Sequence, residues 1–215
     1  YDPATKIQEL SAFGEFGGVN PSITDSSTYT FLKSETMKEL FESEIEGCFL
    51  YSRHWNPSNK YLSDAISALE NSEASQITSS GISAIACAIL QICEQGDQIV
   101  SSRTIYGGTY ALFKNVLPKF GISVKFIDIL DLSAVNKNIT SKTKMVYCES
   151  ISNPLLDVSN LPELSKITQK HAIKLVVDNT FSPMAITPIN HGADIVIHSL
   201  TKFINGTSDC VAGSI

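Results

Sequence analysis

Lys202 stands in the run Asp194-Ile-Val-Ile-His-Ser-Leu-Thr-Lys-Phe-Ile-Asn-Gly-Thr-Ser-Asp209, where an apolar, strand-like segment feeds into hydroxyls, a lysine and a glycine. An amine must be largely neutral to attack a carbonyl. Partial burial beside a cationic neighbour lowers a lysine pKa from about 10 towards neutrality, which makes this position a seat for a Schiff-base lysine. A second strand-like run, Lys174-Leu-Val-Val-Asp-Asn-Thr180, carries a carboxylate at its end, Asp178. In open α/β sheets ligands lie beyond the carboxyl ends of the strands, so residues ending neighbouring strands converge on one ligand. Taken singly, Asp178 reads as a turn or cap carboxylate supported by Asn179 and Thr180, and most lysines are solvated surface charges. The combination is what points to chemistry.

An anion-binding element accompanies the pair. In Thr78-Ser-Ser-Gly-Ile-Ser-Ala-Ile-Ala-Cys-Ala-Ile-Leu90, apolar residues recur at Ile82, Ile85, Ala86, Ile89, Leu90 and Cys93, which predicts a helix packed on a sheet by that face. At its start the free N–H groups and the positive dipole end attract an anion, Gly81 allows close approach and Ser80 offers a hydroxyl. Ordinary N-capping accounts for the serines equally well. A Schiff-base lysine, a carboxylate that keeps a pyridine nitrogen protonated and a phosphate cradle together are the requirements of pyridoxal 5'-phosphate.

Two further clusters bear on such a site. Phe49-Leu-Tyr-Ser-Arg-His-Trp-Asn-Pro-Ser58 sets Tyr51 and Arg53 two apart. In an extended segment both project the same way and suit a phosphate, although a surface arginine beside a packed aromatic is the plainer reading. Arg103-Thr-Ile-Tyr-Gly-Gly-Thr109 follows a strand, placing Tyr106 to stack on a ligand ring or to titrate, with two glycines permitting a tight turn.

The elements that must position these residues follow from pattern. The 215 residues, 43% hydrophobic, suffice for one domain or one domain plus an arm. Residues 1–60 read as an irregular arm with one helical stretch, Ser34 to Phe41. From Leu62 a helix near 62–70 opens an α/β domain over residues 61–215, with strands at 98–102, 123–129, 143–149, 174–178, 194–199 and 210–215 and helices near 82–94, 109–119, 132–139 and 161–172. Such alternation predicts a parallel sheet with helices on both faces. The final segment, Cys210-Val-Ala-Gly-Ser-Ile215, has no closing helix, so the domain is expected to be truncated.

Net charge is −6, without a Lys/Arg run, which argues against nucleic acid or an anionic membrane surface as partner. No stretch reaches the roughly 18 apolar residues of a membrane span, and Tyr1-Asp-Pro-Ala-Thr is not a signal peptide. Five cysteines without Cys-x-x-Cys spacing read as reduced core thiols. The four histidines lack ligand spacing, so no metal is expected, and His198 reads as a hydrogen-bonded structural residue. No Gly-x-Gly-x-x-Gly follows a strand, which disfavours a dinucleotide-binding dehydrogenase.

The run from His198 to Asp209 resembles the cofactor-lysine signature of the Cys/Met-metabolism family of pyridoxal-phosphate enzymes, of aspartate-aminotransferase-like fold type I. Tyr51-Ser-Arg-His-Trp-Asn-Pro-Ser, Ser79-Ser-Gly-Ile-Ser-Ala-Ile, Tyr106-Gly-Gly-Thr, Glu149-Ser-Ile-Ser-Asn-Pro and Val177-Asp-Asn-Thr-Phe-Ser-Pro are similar to that family's motifs, in its order. The resemblance covers the first half of a family member and implies a large domain, here incomplete, with the C-terminal small domain absent. It implies that Lys202 holds the cofactor and shuttles protons, Asp178 pairs with the pyridinium nitrogen and Tyr106 stacks on the ring and serves as an acid. Ser80, Gly81, Ile82, Ser199 and Thr201 would hold the phosphate, and Asn153 would lie near the phenolic oxygen. Tyr51 and Arg53 would reach into the site of a neighbouring subunit, making the unit a homodimer or homotetramer. Within the family the texture is most similar to plant methionine gamma-lyases, implying a cytoplasmic enzyme for methionine or a related thioether. Cystathionine gamma-lyase, cystathionine gamma-synthase and sulfhydrylase activities remain open, as does a fragment that at most binds cofactor. Ile82 stands where the family usually has methionine, and Gly108 where some bacterial members have cysteine.

Overall fold

The computed structural model describes residues 2–10, 14–43, 45 and 47–215. Its centre is a seven-stranded sheet: β1 (Ile77–Thr78), β2 (Gln98–Ser102), β3 (Ser123–Ile127), β4 (Thr143–Glu149), β5 (Lys174–Asp178), β6 (Ile195–Ser199) and β7 (Gly213–Ser214), in the order β1-β7-β6-β5-β4-β2-β3. The five strands β2 to β6 pair in parallel, while β7 runs antiparallel to β6 and β1 antiparallel to β7.

Period-two alternation divides the parallel strands between two cores. Ile99, Met145, Tyr147, Val176 and Ile197 face α4 (Gly81–Ile92) and the segment Gly107–Phe120. Val100, Val146, Cys148, Leu175, Val177 and Val196 face the other way, towards Val135 of α6 (Leu132–Asn138) and Leu161 and Leu164 of α7 (Leu161–Lys170). Both sheet faces are thereby covered, as parallel strands that are apolar on both sides require.

The remaining helices lie in the N-terminal region: α1 (Pro3–Gln8), α2 (Ser34–Glu42) and α3 (Pro57–Glu70). The segment 107–120 is a short helix, α5 (Gly107–Ala111), continued by a π turn and a 3-10 turn.

Several expectations need correction. The last strand is two residues long and antiparallel, and its partner β1 has no counterpart in the sequence reading. Two-residue strands carry no readable periodicity, and backbone proximity creates them: a Cβ at Gly213 would lie 2.2 Å from the Ser80 carbonyl oxygen. The first sixty residues hold α1 as well as α2, and α3 begins at Pro57 rather than Leu62. Asn56 caps it, accepting the Asn59 N–H at 2.7 Å, with Pro57 at the first helical position. Ile7 of α1 packs on Ile66 and Leu69 of α3. Helix α4 buries Gly81, Ala84, Ile85, Ala88 and Ile89, while Leu90 is exposed. Because α4 is apolar on nearly every side, its pattern does not define a unique face; the small Ala84 and Ala88 let the helix settle closely on the sheet. Of the cysteines, Cys93 and Cys148 are core thiols, pushed up to about 11 and about 12 chiefly by burial, whereas Cys87 and Cys210 are exposed.

His198 is structural, as read. It is buried on β6, its Nε2 lying 2.6 Å from Oε1 of Glu70, equally buried at the end of α3. The same oxygen accepts the Asn179 side-chain N–H at 2.8 Å. Glu70→Ala strands the His198 Nε2 in the interior and takes one of two acceptors from the Asn179 amide, which keeps the Ile186 carbonyl at 2.9 Å, so a stability loss of roughly 3 kcal/mol is expected in urea unfolding. A loss below roughly 1 kcal/mol would show that the neighbours find other partners.

Candidate active site

Asp178 ends β5, Ser199 ends β6, and Lys202 follows in the first turn after it; with Tyr106, Asn153, Ser80, Gly81, Ile82 and Thr201 they line one cavity of about 260 Å³. A larger cavity of about 410 Å³, bounded by Trp55, Glu70, Asp194 and Ile215, contains none of these residues. Strand order explains the convergence: β5 and β6 are parallel neighbours, so their carboxyl ends open on the same side.

Asp178 is nearly enclosed. Its Oδ1 accepts the Thr180 N–H at 3.0 Å and the Thr180 hydroxyl at 2.6 Å, and its Oδ2 accepts the Tyr147 hydroxyl at 3.3 Å. Burial pushes this carboxyl up, opposed by the Thr180 donors and by His198 behind it. Burial and the nearby carboxylates push the Tyr147 phenol well above its ordinary range, so it remains a donor. Thr180 also accepts the Ser199 N–H at 2.8 Å, tying the ends of β5 and β6 together.

The start of α4 is a complete capping box, with Ser80 Oγ accepting the Ser83 N–H at 3.1 Å and Ser83 Oγ accepting the Ser80 N–H at 2.9 Å. Gly81 and Ile82 occupy the first two helical positions, whose N–H groups have no intrahelical acceptor. A Cβ at Gly81 would lie 2.7 Å from Ser199 Cβ, so glycine is what lets the helix start meet the end of β6. The Thr201 hydroxyl donates to the Ala212 carbonyl at 3.2 Å and accepts the Ala212 N–H at 3.1 Å, so in this structure it braces the lead-in to β7.

Two readings change here. Lys202 lines the cavity yet is exposed, because the turn after β6 lies at the surface, and among the described residues no second cation lines the cavity with it. Tyr51 and Arg53 do not line the cavity. They sit in a turn, the Trp55 N–H donating to the Tyr51 carbonyl at 3.2 Å, and the guanidinium carbon lies 5.0 Å from the Tyr51 ring centre. The turn replaces the extended geometry that would have pointed both side chains alike, and brings them into cation–π contact instead.

Sequence reasoning gave no role to Glu149. It ends β4 directly beside Asp178, so the strand-end argument used for Asp178 applied to it as well. Its Oε1 accepts the Tyr106 N–H at 2.6 Å and its Oε2 the Asn153 N–H at 3.1 Å. Burial first, then the neighbouring Asp178, push this carboxyl up to about 7, against the lowering effect of the Tyr106 N–H. The folded chain therefore holds a proton that the unfolded chain releases from its ordinary value of 4.5 upward. The resulting stability is complete below that value and lost as pH rises through about 7. Glu149→Gln cannot release the proton. Its stability relative to the unsubstituted chain is expected to rise between about pH 5 and pH 8, read from urea midpoints.

The arrangement fits a flat phosphorylated pyridine aldehyde. A buried carboxylate, a helix start with a glycine at its point of closest approach, an aromatic ring and one amine converge on a single cavity. With an α/β sheet covered on both faces, these features define a cofactor-binding large domain of the fold type I class. The family profile of Cys/Met metabolism PLP-dependent enzymes matches residues 5–215, and the chain belongs to that family. It is 43% identical to the methionine gamma-lyase of Arabidopsis thaliana over 220 residues, covering 100% of this chain and 50% of that protein. It is 38% identical to the O-acetyl-L-homoserine sulfhydrylase of Leptospira meyeri over 209 residues, covering 93% of this chain and 47% of that protein. A crystal structure from Campylobacter jejuni, assigned as an O-acetylhomoserine (thiol)-lyase and containing N'-pyridoxyl-lysine-5'-monophosphate, superposes with a TM-score of 0.93 at 28% identity. That match covers 100% of this chain and 53% of the other. The chain thus spans about half the length of the curated relatives it matches.

Proposed function

We propose that the cavity serves a pyridoxal-phosphate-dependent carbon–sulfur lyase that eliminates the γ-substituent of L-methionine and, with consumption of one water, yields methanethiol, 2-oxobutanoate and ammonia. The observation that carries this reading is the convergence of Lys202, Asp178, Tyr106 and the start of α4 on one cavity. When bound, pyridoxal phosphate supplies an electron sink for the charge that develops at the substrate Cα. The Gly81 and Ile82 N–H groups, with Ser80 and Ser199, would hold the phosphate at the positive end of α4, and Thr201 would join them on releasing the Ala212 carbonyl. Asp178 would pair with the ring nitrogen and keep it protonated, Tyr106 would stack on the ring, and Asn153 would serve its phenolic oxygen. Lys202 Nζ would hold the cofactor until the substrate amine displaces it and, once free, would take the proton from the substrate Cα and move protons onward, while the Tyr106 hydroxyl would protonate the departing sulfur.

The test is release of 2-oxobutanoate and thiol from L-methionine by the full-length protein with pyridoxal phosphate. Sulfide-dependent formation of homocysteine from O-acetylhomoserine, without methionine cleavage, would replace the lyase reading with the sulfhydrylase one, which the similarity to the Leptospira meyeri protein favours. Cystathionine as the better substrate would point to the cystathionine branches of the family. Cofactor binding without turnover of any of these would leave a protein that binds the cofactor without acting on these substrates.

The working unit in this proposal is a homodimer or a homotetramer built from such dimers. Phe16, Ile23 and Leu32 are fully exposed, and Tyr51 and Arg53 do not line the cavity of their own chain, which supports their reaching a second copy. Mixing inactive Lys202→Ala and Arg53→Ala subunits is expected to restore about a quarter of full activity, because half of randomly formed dimers are mixed and each has one intact site. No recovery would place Arg53 outside any shared site. Among the described residues no helix is long and apolar enough to cross a membrane. The exposed thiols of Cys87 and Cys210 suit a reducing, cytoplasmic setting, to which we assign the enzyme.

A further inference from the structure

The Tyr106 backbone is held at both ends: its carbonyl accepts the Tyr110 N–H at 2.9 Å as α5 begins, and its N–H donates to the Glu149 carboxylate at 2.6 Å. Tyr106 precedes α5 as its N-cap without a side-chain cap, is followed by Gly107 and Gly108, and lies about half exposed at the cavity wall. Its ring folds back over Gly108, where an added Cβ would come within 2.5 Å of the ring, so the ring's position follows the backbone at 106–108. Glycines leave that backbone many alternatives. The link that selects one comes from across the sheet: Oε1 of Glu149, 43 residues away in sequence, at 2.6 Å from the Tyr106 nitrogen. The other carboxylate oxygen takes the Asn153 N–H at 3.1 Å, on the loop that follows β4.

A second acid beside Asp178 is costly. Two carboxylates at the ends of adjacent strands repel each other, and Glu149 is 6% exposed. Neither N–H partner is a cation, so the pair of hydrogen bonds does not offset that cost as a salt bridge would. What the arrangement accomplishes is geometric.

We propose that Glu149 is a positioning residue of the cofactor cavity: its carboxylate bridges the Tyr106 and Asn153 N–H groups and thereby sets where these two residues stand on the cavity wall. Glu149 itself lines the cavity, and in this assignment its effect on the cofactor runs through Tyr106 and Asn153. The inference rests on the pyridoxal-phosphate reading of the cavity.

The test uses the full-length protein and its Glu149→Gln variant, titrated with pyridoxal phosphate at about pH 8.5, where the Glu149 carboxyl, pushed up to about 7, is ionised, and followed by absorbance and induced circular dichroism. Glutamine keeps the shape but presents only one acceptor oxygen, so one of the two N–H groups faces an amide NH₂. The variant is expected to bind the cofactor about tenfold more weakly. Its induced dichroic band should be weaker, and in the cofactor-free protein the Tyr106 amide should exchange hydrogen faster. A folded variant with unchanged cofactor affinity and an unchanged dichroic band overturns the proposal, and so does a lowered unfolding midpoint accompanied by an unchanged band, which would mark a purely structural role. Should the glutamine variant not fold, Glu149→Asp decides: it retains the charge, is one methylene shorter and reaches only one N–H. Intermediate affinity and band support the assignment, and wild-type values overturn it. If the unsubstituted protein itself shows no cofactor band, the cavity reading fails first and takes this inference with it.

Discussion

Lys202→Ala in the full-length protein is expected to lower methionine turnover by at least about 10³-fold, because one substitution removes both the nucleophilic amine and the proton carrier. Among the described residues of its own chain Lys202 is the only cation lining the cavity, so none of these is placed to substitute for it. Binding should survive in weakened form. The α4 start, the Asp178 carboxylate and Tyr106 do not depend on the lysine side chain, and Lys202 is exposed, so its truncation leaves no unpaired buried group. The expected pattern is therefore a folded protein with an unshifted unfolding midpoint that still takes up pyridoxal phosphate. Borohydride reduction should no longer fix the cofactor to the peptide containing residue 202. Retained turnover, or a reduced pyridoxyl group on another lysine of the unsubstituted protein, would remove Lys202 from its assigned role. Partial recovery with a small primary amine would indicate that the missing group acts as a base.

Asp178→Asn is expected to lower kcat by about 10² to 10⁴-fold with a much smaller change in the KM for methionine, since the substitution removes a charge that matters most as the reaction proceeds. Asparagine is the informative replacement because it can satisfy the surroundings. Its carbonyl oxygen can keep the two Thr180 donors now held by Oδ1, and its NH₂ can face the Tyr147 oxygen, whose hydroxyl then rotates away. Asp178→Ala would instead strand Tyr147 and Thr180, confounding catalysis with stability. A folded Asn variant with full kcat would show that no protonated ring nitrogen is needed at this position. A large rise in KM with unchanged kcat would make Asp178 a binding group only.

The residues of the proposed chemistry were legible for a specific reason. Asp178 and Lys202 each follow an uninterrupted apolar run, and in a parallel sheet the ends of such runs share one rim. The same rule marked Glu149, but a carboxylate whose partners are backbone N–H groups leaves no trace in the identity of those partners, so its link to Tyr106 was not readable. The capping of α3 by Asn56 was written in the Asn-Pro pair and could have been read. The buried face of α4 could not, because an apolar residue occupies almost every position.

From its sequence alone the chain determined a parallel α/β sheet, its two buried faces, and the order of the groups that end its strands, because burial periodicity and strand ends are local properties. Tertiary structure alone decided the antiparallel closure by β1 and β7, the turn that stacks Arg53 on Tyr51, the exposure of Lys202 and the carboxylate bridge from Glu149 to Tyr106. Those outcomes depend on which distant segments meet, and a contact between a side chain and a backbone 43 residues away is set by packing distance and hydrogen-bond demand, which no local pattern encodes.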